Sequence, residues 1–115
     1  SELLKELNVL ILGATFKENC PDYRNTRVLD IFNELESLKV QFDVFDPWLD
    51  LDSFFSDHNI KVMNKLPIKR YNIIVLAVGH DEFKTIDFKK LKKNDDSVVY
   101  DVKGVLEKSV YTSRL

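Results

Sequence analysis

Two cations in one polar segment, Lys17 and Arg24, have the residue types and spacing that best suit ligand binding in this chain. Lysine offers a compact charge and arginine a planar fork, so the pair suits a phosphorylated ligand. The segment, residues 13–26, follows an apolar run and precedes a helical pattern. The other interpretation is that both cations form surface ion pairs with Glu18 and Asp22, because such pairs are common in loops. The residues alone leave both interpretations open.

Other reactive or aromatic side chains lie at predicted turns. Cys20 is the single cysteine and has no evident base partner, so a packing role is favoured over that of a nucleophile. His80 follows an apolar run, and a hydrogen bond to a loop is favoured over ligand contact. Trp48 is expected to anchor a strand-to-helix turn rather than to serve as a stacking platform. One cysteine and two histidines give no metal-ligand spacing, so we predict neither a catalytic residue nor a metal site.

The elements that must position these loops begin with apolar runs of strand length. Residues 9–12 and 73–78 are uniformly apolar and rich in β-branched side chains, which suits strands buried on both faces of a parallel sheet. Residues 40–46 alternate apolar and polar side chains, as a half-buried strand does. Five strands are predicted, over residues 7–12, 40–46, 60–63, 71–78 and 97–102.

Helical patterns alternate with these strands. Apolar residues recur at helical spacing over residues 26–38, and Asn25 or Thr26 can cap that helix. Shorter helical stretches are predicted over residues 50–58 and 87–93. Each helix falls between two predicted strands, so the strands are expected to run parallel.

This alternation predicts an α/β fold, a three-layer α/β/α sandwich with a mainly parallel, five-stranded Rossmann-like sheet. In its second helical stretch, three apolar side chains are predicted to face inward: Leu51, Phe54 and Phe55. Ligands bind such sheets beyond the carboxyl ends of the strands, where the segment that carries Lys17 is expected to lie.

Composition excludes several classes of function. The chain has 115 residues, 44% of them hydrophobic and 31% charged, as expected of one soluble globular domain. A net charge of -2 argues against nucleic-acid and membrane-surface binding, and no apolar run is long enough to span a bilayer. The N-terminus does not resemble a signal peptide, and one cysteine suits a reducing cytoplasm.

Known nucleotide-binding motifs are absent from the sequence. Neither G-x-G-x-x-G nor a P-loop follows the first predicted strand, which argues against a self-sufficient dinucleotide site. A phosphorylation receiver domain would share the architecture but needs an acidic cluster after that strand. Gly13, Ala14 and Thr15 occupy those positions instead, so a receiver domain is disfavoured.

Residues 15–28, T-F-K-E-N-C-P-D-Y-R-N-T-R-V, closely resemble the C-terminal domain of the UDP-glucose/GDP-mannose dehydrogenase family. Val-Phe-Asp-Pro at 44–47, Gly-His at 79–80 and Asp-Val-Lys-Gly at 101–104 extend the resemblance over nearly the whole chain, in order and spacing. The E-N-C-P-D and R-N-T variant resembles the branch that oxidises UDP-N-acetylhexosamines for capsule, O-antigen or Vi-type polysaccharides. UDP-glucose dehydrogenases usually carry Thr-Glu-Trp where this chain has Gly-His-Asp at 79–81.

The resemblance implies that residues 1–115 are one UDP-sugar-binding C-terminal domain, truncated from a longer three-domain dehydrogenase. In the family, an N-terminal Rossmann domain holds NAD and a central helical domain carries the catalytic cysteine, which Cys20 does not match. The implied reaction of the intact enzyme is a four-electron oxidation of the C6 hydroxyl to a carboxylate with two NAD. The isolated domain is expected to be inactive, and the intact enzyme to be a homodimer.

The same resemblance assigns roles to single residues. Phe16 and Lys17 match family positions that contact the UDP-sugar, and Arg114 matches a substrate-binding arginine near the family's C-terminus. Arg24 matches an arginine that reaches the NAD held by the other domain. The implied partners are a UDP-N-acetylhexosamine and the enzyme's own N-terminal and central domains. The competing hypothesis is a free-standing, non-catalytic nucleotide-binding or regulatory module.

Overall fold

Six parallel strands form a single sheet in the order β3-β2-β1-β4-β5-β6. The structure is a computed structural model that describes residues 6–24 and 26–114, without the side chains of 113 and 114. The strands are β1 (Asn8–Leu12), β2 (Gln41–Phe45), β3 (Val62–Met63), β4 (Ile73–Leu76), β5 (Val98–Asp101) and β6 (Ser113–Arg114). The predicted parallel α/β fold and its five strands are thus confirmed. The sixth strand, β6, was missed because two residues carry no periodicity.

The sheet is covered on both faces, which gives the predicted three layers. Two α-helices, α1 (Val28–Ser37) and α2 (Leu51–His58), cover one face and bury Phe32 and Phe54 against β1 and β2. The other face is covered by 3₁₀ helices at Asp81–Thr85 and Phe88–Lys90, which bury Phe83 and Phe88. Alternate residues of β1 contribute to the hydrophobic cores on the two faces of the sheet. Val9 and Ile11 pack in the core beneath the α-helices, and Leu10 and Leu12 pack in the core beneath the 3₁₀ helices.

Two helical predictions were wrong in detail. The stretch over 87–93 folds as a single 3₁₀ turn at Phe88–Lys90, because it has too few apolar side chains to stabilise a longer helix by packing. Phe55 is 50% exposed, since neighbouring positions on a helix point about 100° apart and Phe54 takes the inward direction. Across residues 6–24 and 26–114, no helix has the length and apolarity to cross a membrane.

The strands end at one level, which places their exit loops side by side. Leu12 pairs with Phe45 on one side and Leu76 on the other, and Leu76 in turn pairs with Asp101. From β1 the chain moves outward to β2 and β3, then returns to β4 on the opposite side of β1. The change of direction between β1 and β4 is a topological switch point, where open α/β sheets bind ligands.

Gly13 lets the chain turn at the end of β1 beside the exit of β4. Its φ of +99° lies in the region that disfavours L side chains. A Cβ at this position would approach Val78 Cβ to 2.6 Å, closer than two carbon atoms can come. The exits of β1 and β4 are therefore in direct van der Waals contact at the switch point.

We expect Gly13→Ala to lower the free energy of unfolding by roughly 3 kcal/mol, from the left-handed backbone and the overpacking against Val78 together. Gly79→Ala is the matched control, because its Cβ would meet the side chain of Val105 at 3.1 Å and its φ lies outside that region. Urea denaturation of both variants measures the difference. Equal losses in the two would contradict this account of Gly13.

Candidate functional site

A buried carboxylate, Asp46, joins three strand exits at the switch point. One carboxylate oxygen, Oδ2, accepts a hydrogen bond from the Ala14 N–H at 2.7 Å and lies 3.0 Å from His80 Nε2. The other, Oδ1, accepts from the Trp48 N–H at 2.8 Å. Asp46 and His80 are both fully buried. The carboxylate thereby ties the turn after β2 to the exits of β1 and β4.

The hydrogen bonds of His80 define which ring nitrogen carries its proton. Nδ1 lies 2.8 Å from the backbone nitrogen of Asn19, and a backbone N–H can only donate, so Nδ1 accepts. The neutral ring then carries its proton on Nε2, which donates to Asp46. The Thr15 hydroxyl lies 3.1 Å from Nε2 and donates its own proton to the Lys17 carbonyl. His80 thus has the hydrogen-bonding role expected from its position at a strand exit.

The segment after β1 folds back on itself and is anchored on α2. The Phe16 N–H donates to the Asp22 carbonyl at 2.7 Å, and the Thr26 hydroxyl donates to the Thr15 carbonyl at 3.3 Å. The Tyr23 hydroxyl donates to the carboxylate of Asp57 on α2, and its ring packs edge-on against a buried phenylalanine of the same helix. These contacts make the segment a closed loop held on a rigid element.

Phe16 and Lys17 are presented on this loop toward solvent. The Phe16 side chain is 54% exposed, although the loop backbone beside it is hydrogen-bonded. Lys17 is exposed and has no ion-pair partner among the described residues, so the predicted alternative of a pair with Glu18 is wrong. An unpaired cation beside an exposed ring is suited to a ligand with an anionic part and a flat part.

Arg24 is paired, as the ion-pair interpretation predicted. Its Nε and Nη2 donate to the two carboxylate oxygens of Asp22 at 3.0 Å each, and its backbone N–H donates to Oδ1 at 2.9 Å. These hydrogen bonds hold the pKa of Asp22 below its usual value and raise the pKa of Arg24. The Arg24 side chain is nevertheless 83% exposed. Water screens such a pair, so the guanidinium can still accept a second anionic partner.

The exit of β5 is fixed by a second buried carboxylate. Asp101 accepts hydrogen bonds from the backbone N–H groups of Lys103, Gly104 and Leu106 at 3.1, 2.8 and 2.8 Å. Arg114 pairs with Asp101 through the backbone of β6, at the same edge of the sheet as the β1 loop. The side chain of Arg114 lies outside the described residues, so its predicted ligand contact stays a prediction.

Cys20 and Trp48 occupy the same edge. Cys20 is half-buried and unpaired within the loop after β1. Trp48 donates from its backbone N–H to Asp46 and from Nε1 to Glu82 at 3.1 Å, so it anchors the turn after β2 as predicted. No group of three histidine, cysteine, aspartate or glutamate side chains that could hold a metal occurs in the described ranges 6–24 and 26–114.

The architecture and the exit loops match those of one known family. Residues 10–108 match the sequence profile of the UDP-glucose/GDP-mannose dehydrogenase family, UDP binding domain. The chain belongs to this family. The resemblance in residues 15–28 is thereby confirmed at the level of the family.

Similar curated members of the family are UDP-sugar dehydrogenases. The UDP-N-acetyl-D-glucosamine 6-dehydrogenase of Salmonella typhi is 42% identical over 101 residues, which are 86% of this chain and 24% of that protein. The enzyme of the same name from Pseudomonas aeruginosa is 40% identical over 109 residues, 93% of this chain and 26% of that protein. The chain therefore spans about a quarter of the curated relatives that it matches.

Solved structures of the family share this fold. An NDP-N-acetyl-D-galactosaminuronic acid dehydrogenase from Methanosarcina mazei Go1 has a TM-score of 0.80 at 20% identity, covering 93% of this chain and 22% of that one. The UDP-N-acetyl-mannosamine dehydrogenase Cap5O from Staphylococcus aureus has a TM-score of 0.73 at 22% identity, covering 98% of this chain and 27% of that one. At these identities the likeness establishes the architecture.

Sequence reasoning missed the residues that hold the loop of this UDP binding domain. Asp46 and Asn19 were not singled out, although Asp46 follows a strand pattern directly and is therefore placed at the carboxyl edge. Their partners lie 34 and 61 residues away in His80. A polar residue directly after a buried strand was the available signal, whereas no local pattern marks Asn19.

We expect Asp46→Ala to destabilise the domain by roughly 3–5 kcal/mol, because each buried donor left without an acceptor costs about 1–3 kcal/mol. Asp50→Ala is the control: the exposed Asp50 carboxylate accepts from the Ser53 N–H and caps α2, so about 1 kcal/mol should be lost. Equilibrium urea unfolding of both variants tests the difference. A loss at Asp46 no larger than at Asp50 would contradict the described network.

Proposed function

We propose that this chain is the nucleotide-sugar-binding domain of an NAD-dependent dehydrogenase that oxidises the C6 hydroxyl of a UDP-N-acetylhexosamine to the uronic acid. The proposal rests on Phe16 and Lys17, which stand exposed on a fixed loop at the switch point of a UDP binding domain. The names of the 42% and 40% identical relatives support the N-acetylhexosamine as the sugar. We also propose that the enzyme is cytoplasmic and supplies the uronic acid for surface-polysaccharide synthesis.

In this proposal the ligand lies along the carboxyl edge of the sheet. Lys17 neutralises a phosphate of the UDP, and the exposed ring of Phe16 covers an apolar face of the nucleotide sugar. Arg114 contributes a second cation from β6, three strand spacings from β1, which is roughly 14 Å. An extended nucleotide sugar can bridge that span and contact both ends of the edge.

Arg24 is proposed to contact NAD that is bound mainly by another domain of the intact enzyme. The bidentate pair with Asp22 leaves Nη1 without a partner among the described residues, and the side chain is largely exposed. A guanidinium in that state fits a phosphate approaching from outside the domain. NAD would supply the hydride acceptor, whereas this domain would supply binding and closure. A homodimeric intact enzyme, with its own NAD-binding and central domains, completes the proposal.

The alternative is a free-standing nucleotide-binding or regulatory module. Two relatives about four times as long as this chain carry dehydrogenase names, which favours the enzyme domain instead. No contact in the described part of the chain specifically favours the module.

We expect Lys17→Ala to weaken UDP binding on the order of 10- to 100-fold, as loss of a hydrogen bond to a charged group does. Lys93→Ala is the matched control, because Lys93 is exposed at the opposite, amino edge of the sheet, where its N–H bonds Tyr71. Isothermal titration calorimetry with UDP, and with AMP as a competing nucleotide, measures both variants. No preference for UDP over AMP, or equal affinity in the two variants, would refute the role of Lys17.

The 115-residue chain alone is expected to produce no NADH from UDP-N-acetylglucosamine and NAD, because it has no catalytic cysteine in the proposed division of labour. Absorbance of NADH in a steady-state assay tests this, with a full-length relative as the positive control. Turnover by the chain that Cys20→Ser abolishes would show instead that catalysis resides in this domain.

A further inference from the structure

The residues between Thr15 and Asn19 form an arch that is fastened to one imidazole ring at both ends. Thr15 Oγ1 contacts Nε2 of His80 at 3.1 Å, and the Asn19 N–H donates to Nδ1 of the same ring at 2.8 Å. Phe16 and Lys17 lie between these two attachments. We propose that His80 and Asn19 act as positioning residues that hold Phe16 and Lys17 in the geometry that binds UDP. This inference rests on the proposed function.

Asn19 is suited to one end of the arch by its backbone and its side chain. Its φ of +55° is left-handed, a conformation that asparagine tolerates better than most residues other than glycine. Its Oδ1 accepts a hydrogen bond from the Asp81 N–H at 3.0 Å. Together with the bond to His80, this makes two ties to adjacent residues after β4, so both the position and the orientation of Asn19 are fixed.

His80 is suited to hold the arch because its hydrogen bond to Asp46 selects the tautomer of the ring. The carboxylate accepts from Nε2, which leaves Nδ1 free of a proton and able to accept from Asn19. A proton on Nδ1 would bring two N–H groups face to face and remove that tie. His80 is fully buried and cannot touch a ligand, so its effect on binding must pass through the arch.

The arch lowers the conformational entropy that UDP binding must remove. Three residues, Phe16, Lys17 and Glu18, are exposed and form no hydrogen bonds through their side chains in the described structure. Left unattached, such a segment would sample many backbone conformations and become ordered only on binding. Fixed at both ends, it presents Phe16 and Lys17 on a backbone that is already ordered.

The test compares two substitutions of His80 that each keep one of its hydrogen-bonding groups. Asparagine places an acceptor near Nδ1 and retains the tie to Asn19, whereas glutamine places a donor near Nε2 and retains the bond to Asp46. UDP affinity is measured by calorimetry, and amide hydrogen exchange of Asn19 by NMR, both where the variants are fully folded. We expect His80→Gln to weaken UDP binding about tenfold and to speed exchange at Asn19, with His80→Asn nearer the wild type.

A surface variant keeps the test valid if His80→Gln does not fold. Asn19→Ala and Asn19→Gly both remove the Oδ1 acceptor and keep the backbone N–H, but alanine disfavours the left-handed backbone that places this N–H, whereas glycine adopts it freely. Asn19→Ala is expected to bind UDP about tenfold more weakly than the wild type does. Asn19→Gly is expected to lose less affinity than Asn19→Ala.

The outcomes separate this inference from the proposed function. Wild-type UDP affinity in His80→Gln, or in Asn19→Ala, together with a clear loss in Lys17→Ala would overturn the positioning role and leave the proposed function intact. Wild-type affinity in all of these variants, Lys17→Ala included, would overturn the role of Lys17 and, with it, the role of the arch in binding UDP, whereas no preference of the wild type for UDP over AMP would count against the proposed function itself.

Discussion

The candidate ligand-binding edge of the sheet depends on the hydrogen bonds that the Asp46 carboxylate accepts. This carboxylate is buried at the level where β1, β2 and β4 end, and it accepts from the Ala14 and Trp48 N–H groups and from the His80 ring. A buried carboxylate is tolerated only when its oxygens are hydrogen-bonded, so its presence requires all three chain segments to converge. Because His80 in turn accepts a hydrogen bond from Asn19, an exposed loop is connected to a carboxylate in the interior.

The parts of the fold that could be predicted from sequence are those with repeated local patterns. Residues 9–12 of β1 and all four residues of β4 are uninterrupted apolar runs, and α1 shows helical spacing, so each carries several independent signals. The second covering layer depends on two side chains, Phe83 and Phe88, in short 3₁₀ turns without periodicity. Its existence could be predicted from the architecture, whereas its form could not.

The same distinction applies to the candidate site. Lys17 and Arg24 could be selected because residue type and a loop after a buried strand suffice to suggest anion binding, whereas Phe16 received its role from the family resemblance. The ties that hold them could not, because the partners of His80 lie 34, 61 and 65 residues away in the chain. Arg24 illustrates the difference: its pair with Asp22 is local and was foreseen, while the support of Lys17 through Thr15 and His80 is nonlocal and was not.

The close contact of Gly13 with Val78 bears on how a ligand and a second domain can meet this one. Many open α/β folds receive a ligand in the cleft that opens between their two central strands. Here Gly13 and Val78 are in close contact at that point, so a nucleotide in the proposed site would lie on the outer side of the loops. In the proposed enzyme, the exposed side of such a ligand would be covered by another domain, because Gly13 and Val78 leave no space for it between the strands of this one.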